Sequence, residues 1–169
     1  MNFLVTNTTH RTGELHVMVD LETLSTKPNA VILTFAAMKF DPCNDARKET
    51  EERIFNSKHS FYKRIDLESC VSLGQTIDEH TIDWWAKQDD KVKEEAFALE
   101  NRHSIETVLT DFHKWCFGAK AFWSNGSIFD IMIIEDYNRK LSRGNPWKFW
   151  EIRDCRTIYA LANPEMPEG

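Results

Sequence analysis

Between Leu15 and Glu22 the residues Leu15, Val17, Val19 and Leu21 alternate with His16, Met18, Asp20 and Glu22. That period is two, the period of a strand, so the segment shows one apolar face and sets Asp20 and Glu22 side by side on the other. A turn rich in Pro and Asn follows at Ser25–Asn29, and then Ala30 to Phe40 is nearly continuously apolar until Asp41-Pro42 stops it. Such a run fits a strand buried on both faces in a sheet interior. Ser60 to Asp66 alternates as a third strand. Three strands in succession predict an antiparallel meander.

The pattern then changes to helical spacing. Asp78 to Asp90 carries Ile82 and Trp85 at that spacing, and Ser104 to Phe117 carries Ile105, Val108, Leu109, Phe112, Trp115 and Cys116, with Ser104 placed to cap it. A short strand over Ala119–Trp123 runs through Ser124-Asn-Gly126-Ser127 into a helix over Ile128–Leu141, which Arg143-Gly-Asn-Pro146 breaks. The stretch from Trp147 to Leu161 predicts a brief strand and the start of a helix. The fold class is therefore α/β, one domain over 15–162, with a loose polar arm over 1–14, a charged connection over Asn44–Arg53 and a Pro-rich tail over 163–169.

The formal net charge of −6 argues against a sequence-independent coat for duplex nucleic acid, whose affinity comes from Lys and Arg. It leaves open a nuclease, because bound cations reverse the sign of a carboxylate cluster. No apolar stretch is long enough for a membrane span and the N-terminus lacks a signal-peptide pattern, so the expected location is the cytoplasm. Cys43, Cys70, Cys116 and Cys155 follow no metal or disulfide spacing and are expected to be reduced.

A D-x-E on a strand is a weak signal alone, since such pairs commonly sit on a solvated edge. On a buried central strand it gains weight, because uncompensated carboxylates there call for metals or cations. Asp130 lies in the first turn of a helix that follows a strand and a Gly turn. It can serve the helix dipole or face a ligand at the strand's end. Asn125 and Gly126 permit close approach of backbone to a ligand, which favours the second reading.

Val19-Asp20-Leu-Glu22-Thr23, followed by an apolar strand and later by Trp123-Ser-Asn-Gly-Ser-Ile-Phe-Asp130, resembles the first two exonuclease motifs of the DEDD superfamily. Thr81-Ile-Asp-Trp84-Trp85-Ala-Lys-Gln88 and Arg153-Asp154-Cys-Arg156-Thr157 are similar to segments of its compact subgroup. That subgroup includes RNase AS-like exoribonucleases and phage exonuclease A-like deoxyribonucleases. The resemblance implies a ribonuclease-H-like mixed sheet, antiparallel meander plus parallel strands, flanked by helices. It implies a 3′→5′ exonuclease that releases nucleoside 5′-monophosphates from a single-stranded 3′ end. Two Mg²⁺ or Mn²⁺ ions would be held by Asp20, Glu22 and Asp130, with Asp20 bridging, Glu22 serving the ion that carries the attacking water and Asp130 the other.

The same resemblance places the terminal nucleotide against backbone near Thr23 and Leu24, with Leu24 as a wedge against its base. Trp84 and Trp85 point about 100° apart on a helix, so one of them, Trp85, is expected in the core and Trp84 is left as a stacking candidate. Arg153 and Arg156 are read either as phosphate ligands or as partners of Asp154. DNA is slightly favoured over RNA by the phage-like character of the match, no residue being assignable to a 2′-hydroxyl. RNase AS-like relatives imply a homodimer.

The superfamily also pairs a later Asp with a His five residues before it or a Tyr four before it. No His of the chain has an Asp five residues on, and Tyr159 is followed at that spacing by Asn163. The helix bearing this final motif is thus expected to be missing. The alternatives are a curtailed form of a longer enzyme, a catalytically dead module that binds nucleic-acid ends, or a site completed by another chain.

Overall fold

A computed structural model describes residues 13–43 and 58–162. The elements are β1 (His16–Thr23), β2 (Ile32–Phe40), β3 (Ser60–Ile65), α1 (Leu67–Val71), α2 (Glu79–Ala86), α3 (Asp90–Phe97), β4 (Arg102–His103), α4 (Ile105–Trp115), β5 (Ala121–Ser124), α5 (Ser127–Lys140), a 3₁₀ turn (Phe149–Glu151), β6 (Ile152–Asp154) and α6 (Cys155–Ala162). The strands form one sheet in the order β4-β3-β2-β1-β5-β6. β2 pairs antiparallel with both β1 and β3, as the meander predicts, while β4 runs parallel to β3, β5 parallel to β1 and β6 parallel to β5. The mixed α/β sheet is borne out.

β1 lies inside the sheet, and its parity sorts it as its sequence requires. Val17, Val19, Leu21 and Thr23 are buried, while Asp20 opens to solvent and Glu22 is half-buried on the other face. The buried face meets α4, where Phe112 lies 4.7 Å from Phe35 and 5.6 Å from Phe61 between ring centroids. α5 adds Ile131, Ile133, Ile134 and Tyr137 to the same core. Full burial of each such side chain contributes on the order of 1.5–3 kcal/mol, so this packing holds the sheet, and β2 is buried on both faces over Ile32–Phe35.

Several boundaries shift for local reasons. The apolar run from Ala30 does not ladder until Ile32, because Ala30 still closes a turn onto Lys27 and bridges Thr76. α1, α3 and β4 carry no apolar period to announce them: α3 reads DKVKEEAF and buries only Ala96. In α2 the side expected to bury both Ile82 and Trp85 buries only Trp85, and Ile82 is exposed. Capping follows the sequence more closely, with Asp78 accepting from His80 N–H, Asp89 from Lys91 N–H and Ser104 from Thr107 N–H.

Cys70, Cys116 and Cys155 are buried free thiols and Cys43 is exposed. The expected arm falls on residues 1–12, the charged connection on 44–57 and the tail on 163–169, all outside the described residues. Among the described residues no helix follows α6, of which Cys155 alone is buried. No described helix is long and apolar enough to cross a membrane.

Candidate active site

Asp20 and Glu22 stand one pleat apart on β1 because a strand returns each side chain to the same face every second residue. Asp130 reaches them from the far end of the neighbouring strand. β5 pairs with β1 only from His16↔Ala121 to Met18↔Trp123, after which its chain turns at Asn125-Gly126 and becomes α5. The N–H of Leu21 therefore faces no strand on that side, and it donates instead to Oδ1 of Asp130 at 3.1 Å. Gly126 makes the turn possible with φ of 110°.

The three carboxyls are electrostatically coupled through Asp20. Partial burial raises the pKa of Asp20 although its side chain reaches solvent, and burial followed by the nearby Asp20 charge raises that of Glu22. Asp130, only 3% exposed, is pushed up to about 7, first by burial and then by Asp20, against the pull of the Leu21 N–H. The neighbouring Ser124 hydroxyl is fully buried and has no well-formed hydrogen bond. Among the described residues none of the three acids is in a salt bridge. Like charges gathered without a protein cation suit a bound one.

In this arrangement no group of three His, Cys, Asp or Glu among the described residues closes on a common point. The donor set still fits a small hard cation, since Mg²⁺ takes oxygen ligands, keeps several waters and needs only one or two carboxylates. Asp20 with Glu22, and Asp20 with Asp130, are the available pairs.

The segments around these acids are braced from outside. Trp85 is 3% exposed and its indole N–H donates to Thr23 O at 2.8 Å, so the tandem-Trp helix clamps the end of β1. The expected division of labour is borne out in burial, for Trp84 is 52% exposed. The Leu24 side chain lies in the core, its N–H donates to Val31 O and its carbonyl accepts from Asp78 N–H. Thr23 is likewise buried, its hydroxyl bonded to Ser25 O at 2.8 Å.

The Arg153–Thr157 segment does something the sequence did not show. Asp154 accepts from both the N–H and the hydroxyl of Ser127 at 2.7 and 3.0 Å, and from the N–H of Arg156 at 2.9 Å. It thereby caps α5 and α6 together, and the ion-pair alternative is replaced by backbone capping. Arg153 spends its guanidinium on the carbonyls of Trp150 and Ile152. Arg156 is exposed, with its guanidinium over Gly126, and Asn125 is exposed beside it. At its other end α5 is tied down by Asp136, which accepts from Gln75 at 3.0 Å and pairs with Arg139 and Lys140, and by Tyr137, whose hydroxyl donates to Ala30 O at 3.0 Å.

Residues 15–168 match the family described as the 3′-5′ exoribonuclease Rv2179c-like domain. An exodeoxyribonuclease of Enterobacteria phage T4 is 23% identical over 159 residues, covering 83% of this chain and 68% of that protein. Exonuclease I from Methylocaldum szegediense superposes with a TM-score of 0.55 at 13% identity over 92% of this chain and 31% of that one. The nuclease domain of 3′hExo, a DEDDh family member bound to rAMP, gives 0.52 at 15% identity, covering 91% and 72%. At such identities these two structures establish the ribonuclease-H-like fold. The chain spans about a third of the length of that exonuclease I.

Proposed function

Because the chain belongs to the Rv2179c-like 3′-5′ exoribonuclease domain family, we propose that it is a metal-dependent 3′→5′ exonuclease releasing nucleoside 5′-monophosphates from single strands. The observation that carries this reading is the Leu21–Asp130 hydrogen bond, which sets a buried acid beside the Asp20–Glu22 pair with no protein cation to balance them. Asp20 and Glu22 would hold one Mg²⁺ or Mn²⁺ and Asp20 and Asp130 the other. The ions, when bound, would polarise the scissile phosphate and stabilise the attacking and leaving oxygens of an in-line displacement. Arg156 and Asn125, exposed at the α5 turn, would meet a phosphate, and the exposed Trp84 would stack on a base. The substrate is a single-stranded 3′ end, DNA slightly ahead of RNA on the phage relative, although the family's description names RNA.

A second reading is a module of the same fold that binds nucleic-acid ends and metal without cutting.

Calorimetry with Mn²⁺ on the chain and on Asp20→Ala, paired with release of mononucleotide from 3′-labelled DNA and RNA, tests both. Mn²⁺ binding that Asp20→Ala abolishes, with release of mononucleotide, is the expected result. Binding unchanged in Asp20→Ala would sink the metal role, and binding with no release at all selects the second reading.

A further inference from the structure

We propose that the turn at Lys148–Glu151 is a second nucleic-acid contact, a stacking platform for bases lying several nucleotides 5′ of the terminal one. The inference rests on the exonuclease reading for what occupies the acids, and its own evidence lies elsewhere on the surface. Trp147 is the anchor. It is 6% exposed, packs on Phe122 at 5.0 Å and donates its indole N–H to Glu135 Oε1 at 2.8 Å. The next two aromatic residues face outward instead, Phe149 at 81% and Trp150 at 57% exposure, with their rings 4.8 Å apart.

These rings are held on a braced turn. Glu151 N–H donates to Lys148 O and Lys148 N–H donates to Glu151 Oε2, both at 2.8 Å. Arg153 ties down the carbonyls of Trp150 and Ile152 at 2.6 and 2.8 Å. Two large aromatics so fixed and so exposed add nothing to the core, and contiguous exposed apolar surface marks a contact site.

The accompanying charge bears on the partner. The Lys148 ammonium lies 5.3 Å from the centre of the Trp150 ring and Arg153 follows, while the acids interleaved with them are engaged by backbone, Glu151 on Lys148 N–H and Asp154 on the N–H groups of Ser127 and Arg156. Flat rings beside cations suit a single strand, whose bases stack while its phosphates are neutralised. Placement agrees. Arg153 pairs with Trp123, and Trp123 with Met18, so the Arg153 side chain shares the sheet face that carries Asp20 and Glu22. Two strand spacings across and about five residues along the strands separate Trp150 from Asp20, roughly 20 Å. That is too far for the terminal nucleotide and within reach of a strand leading away from it.

Fluorescence anisotropy with 5′-labelled strands of two and ten nucleotides, as DNA and RNA of one sequence in EDTA, tests this. The ten-nucleotide strand should bind the wild-type chain, and Trp150→Ala and Phe149→Ala should each weaken it at least about fivefold, the lower bound for losing one base–aromatic stack. Trp150→Phe should restore most of the affinity, Lys148→Gln should lower the salt dependence, and DNA and RNA should respond alike because stacking does not read the sugar. The two-nucleotide strand should be indifferent to all four variants, and Phe117→Ala, an exposed aromatic at the end of α4, should change nothing. Unchanged ten-nucleotide binding in both alanine variants overturns the proposal. So does a wild-type dimer that Trp150→Ala dissociates, which would make this turn a self-association surface. Absence of any strand binding overturns the platform while leaving the Mn²⁺ assignment of Asp20 standing, and loss of Mn²⁺ binding would leave the platform standing.

Discussion

Leu21 N–H donates to Asp130 Oδ1 across 109 residues of sequence. The bond stands where a β5 residue would pair if that strand continued beyond Ser124, so the sheet's own hydrogen-bonding demand pulls the third acid to the first two. The site is built by ending a strand early, and it leaves a buried carboxyl near like charge.

That arrangement makes the metal-free chain sensitive to pH in a defined direction. Asp130 has a folded pKa of about 7, above an unfolded value near 3.9. A raised carboxyl favours the folded state fully below the unfolded pKa, and the benefit is lost as pH rises through the folded one. Thermal stability should thus fall between about pH 4 and 8, by on the order of a few kcal/mol from this group. Asp130→Asn keeps an oxygen for Leu21 N–H and removes the charge, so its melting temperature should gain on the wild type as pH rises. Parallel pH profiles for the two would refute this account, and saturating Mn²⁺ should restore the wild type at pH 8 but not the variant.

Trp84 and Trp85 should separate cleanly. Trp85→Phe keeps the ring against Phe97 but deletes the donor to Thr23 O, leaving a buried carbonyl unpaired at the end of β1. The expected loss is about 1–3 kcal/mol in urea unfolding with little change in the slope. Trp84→Ala, at an exposed position, should change stability by less than about 0.5 kcal/mol and weaken single-strand binding instead. A Trp84→Ala chain destabilised as much as Trp85→Phe would place both rings in the core.

The Asp20–Glu22 pair was legible because alternation along eight residues fixes which side chains share a face. Helix geometry showed that Trp84 and Trp85 do not share one face, and the expected burial of Trp85 agrees with the structure although Ile82 does not join it. The tie between Asp130 and Leu21 was not legible, since it depends on where the β1–β5 ladder ends. The burial of Leu24 was not legible because it comes from the turn that Asp78 and Val31 close around it. α3 and β4 were missed because a helix that buries one alanine and a two-residue strand leave no period to detect. The sequence sets Asp154 between two arginines and allows ion pairs, whereas its partners are two backbone N–H groups and the Ser127 hydroxyl, which no residue spacing announces.

Asp154 and Gly126 act on the same turn, and their removal should show it. Asp154→Ala strips the acceptor from Ser127 and Arg156 at the starts of α5 and α6, an expected loss of about 1–3 kcal/mol. At Gly126 an added Cβ would lie 3.5 Å from Arg156 Cζ, ordinary contact, so Gly126→Ala suffers from the positive φ of 110° and should lose about 1–2 kcal/mol by strain. Since both loosen the first turn of α5, the double variant should lose less than the sum. The Asp154 carboxyl resists burial, which would raise its pKa; the Ser127 and Arg156 N–H groups and the Ser127 hydroxyl hold it below the ordinary value. A lowered carboxyl gives stability above the unfolded pKa that is lost as pH falls through the folded one, so the gap between wild type and Asp154→Ala should narrow below about pH 4. Urea unfolding at pH 7 and pH 3 measures both effects. An Asp154→Ala chain as stable as wild type at pH 7 would show that the two helix starts stand without it.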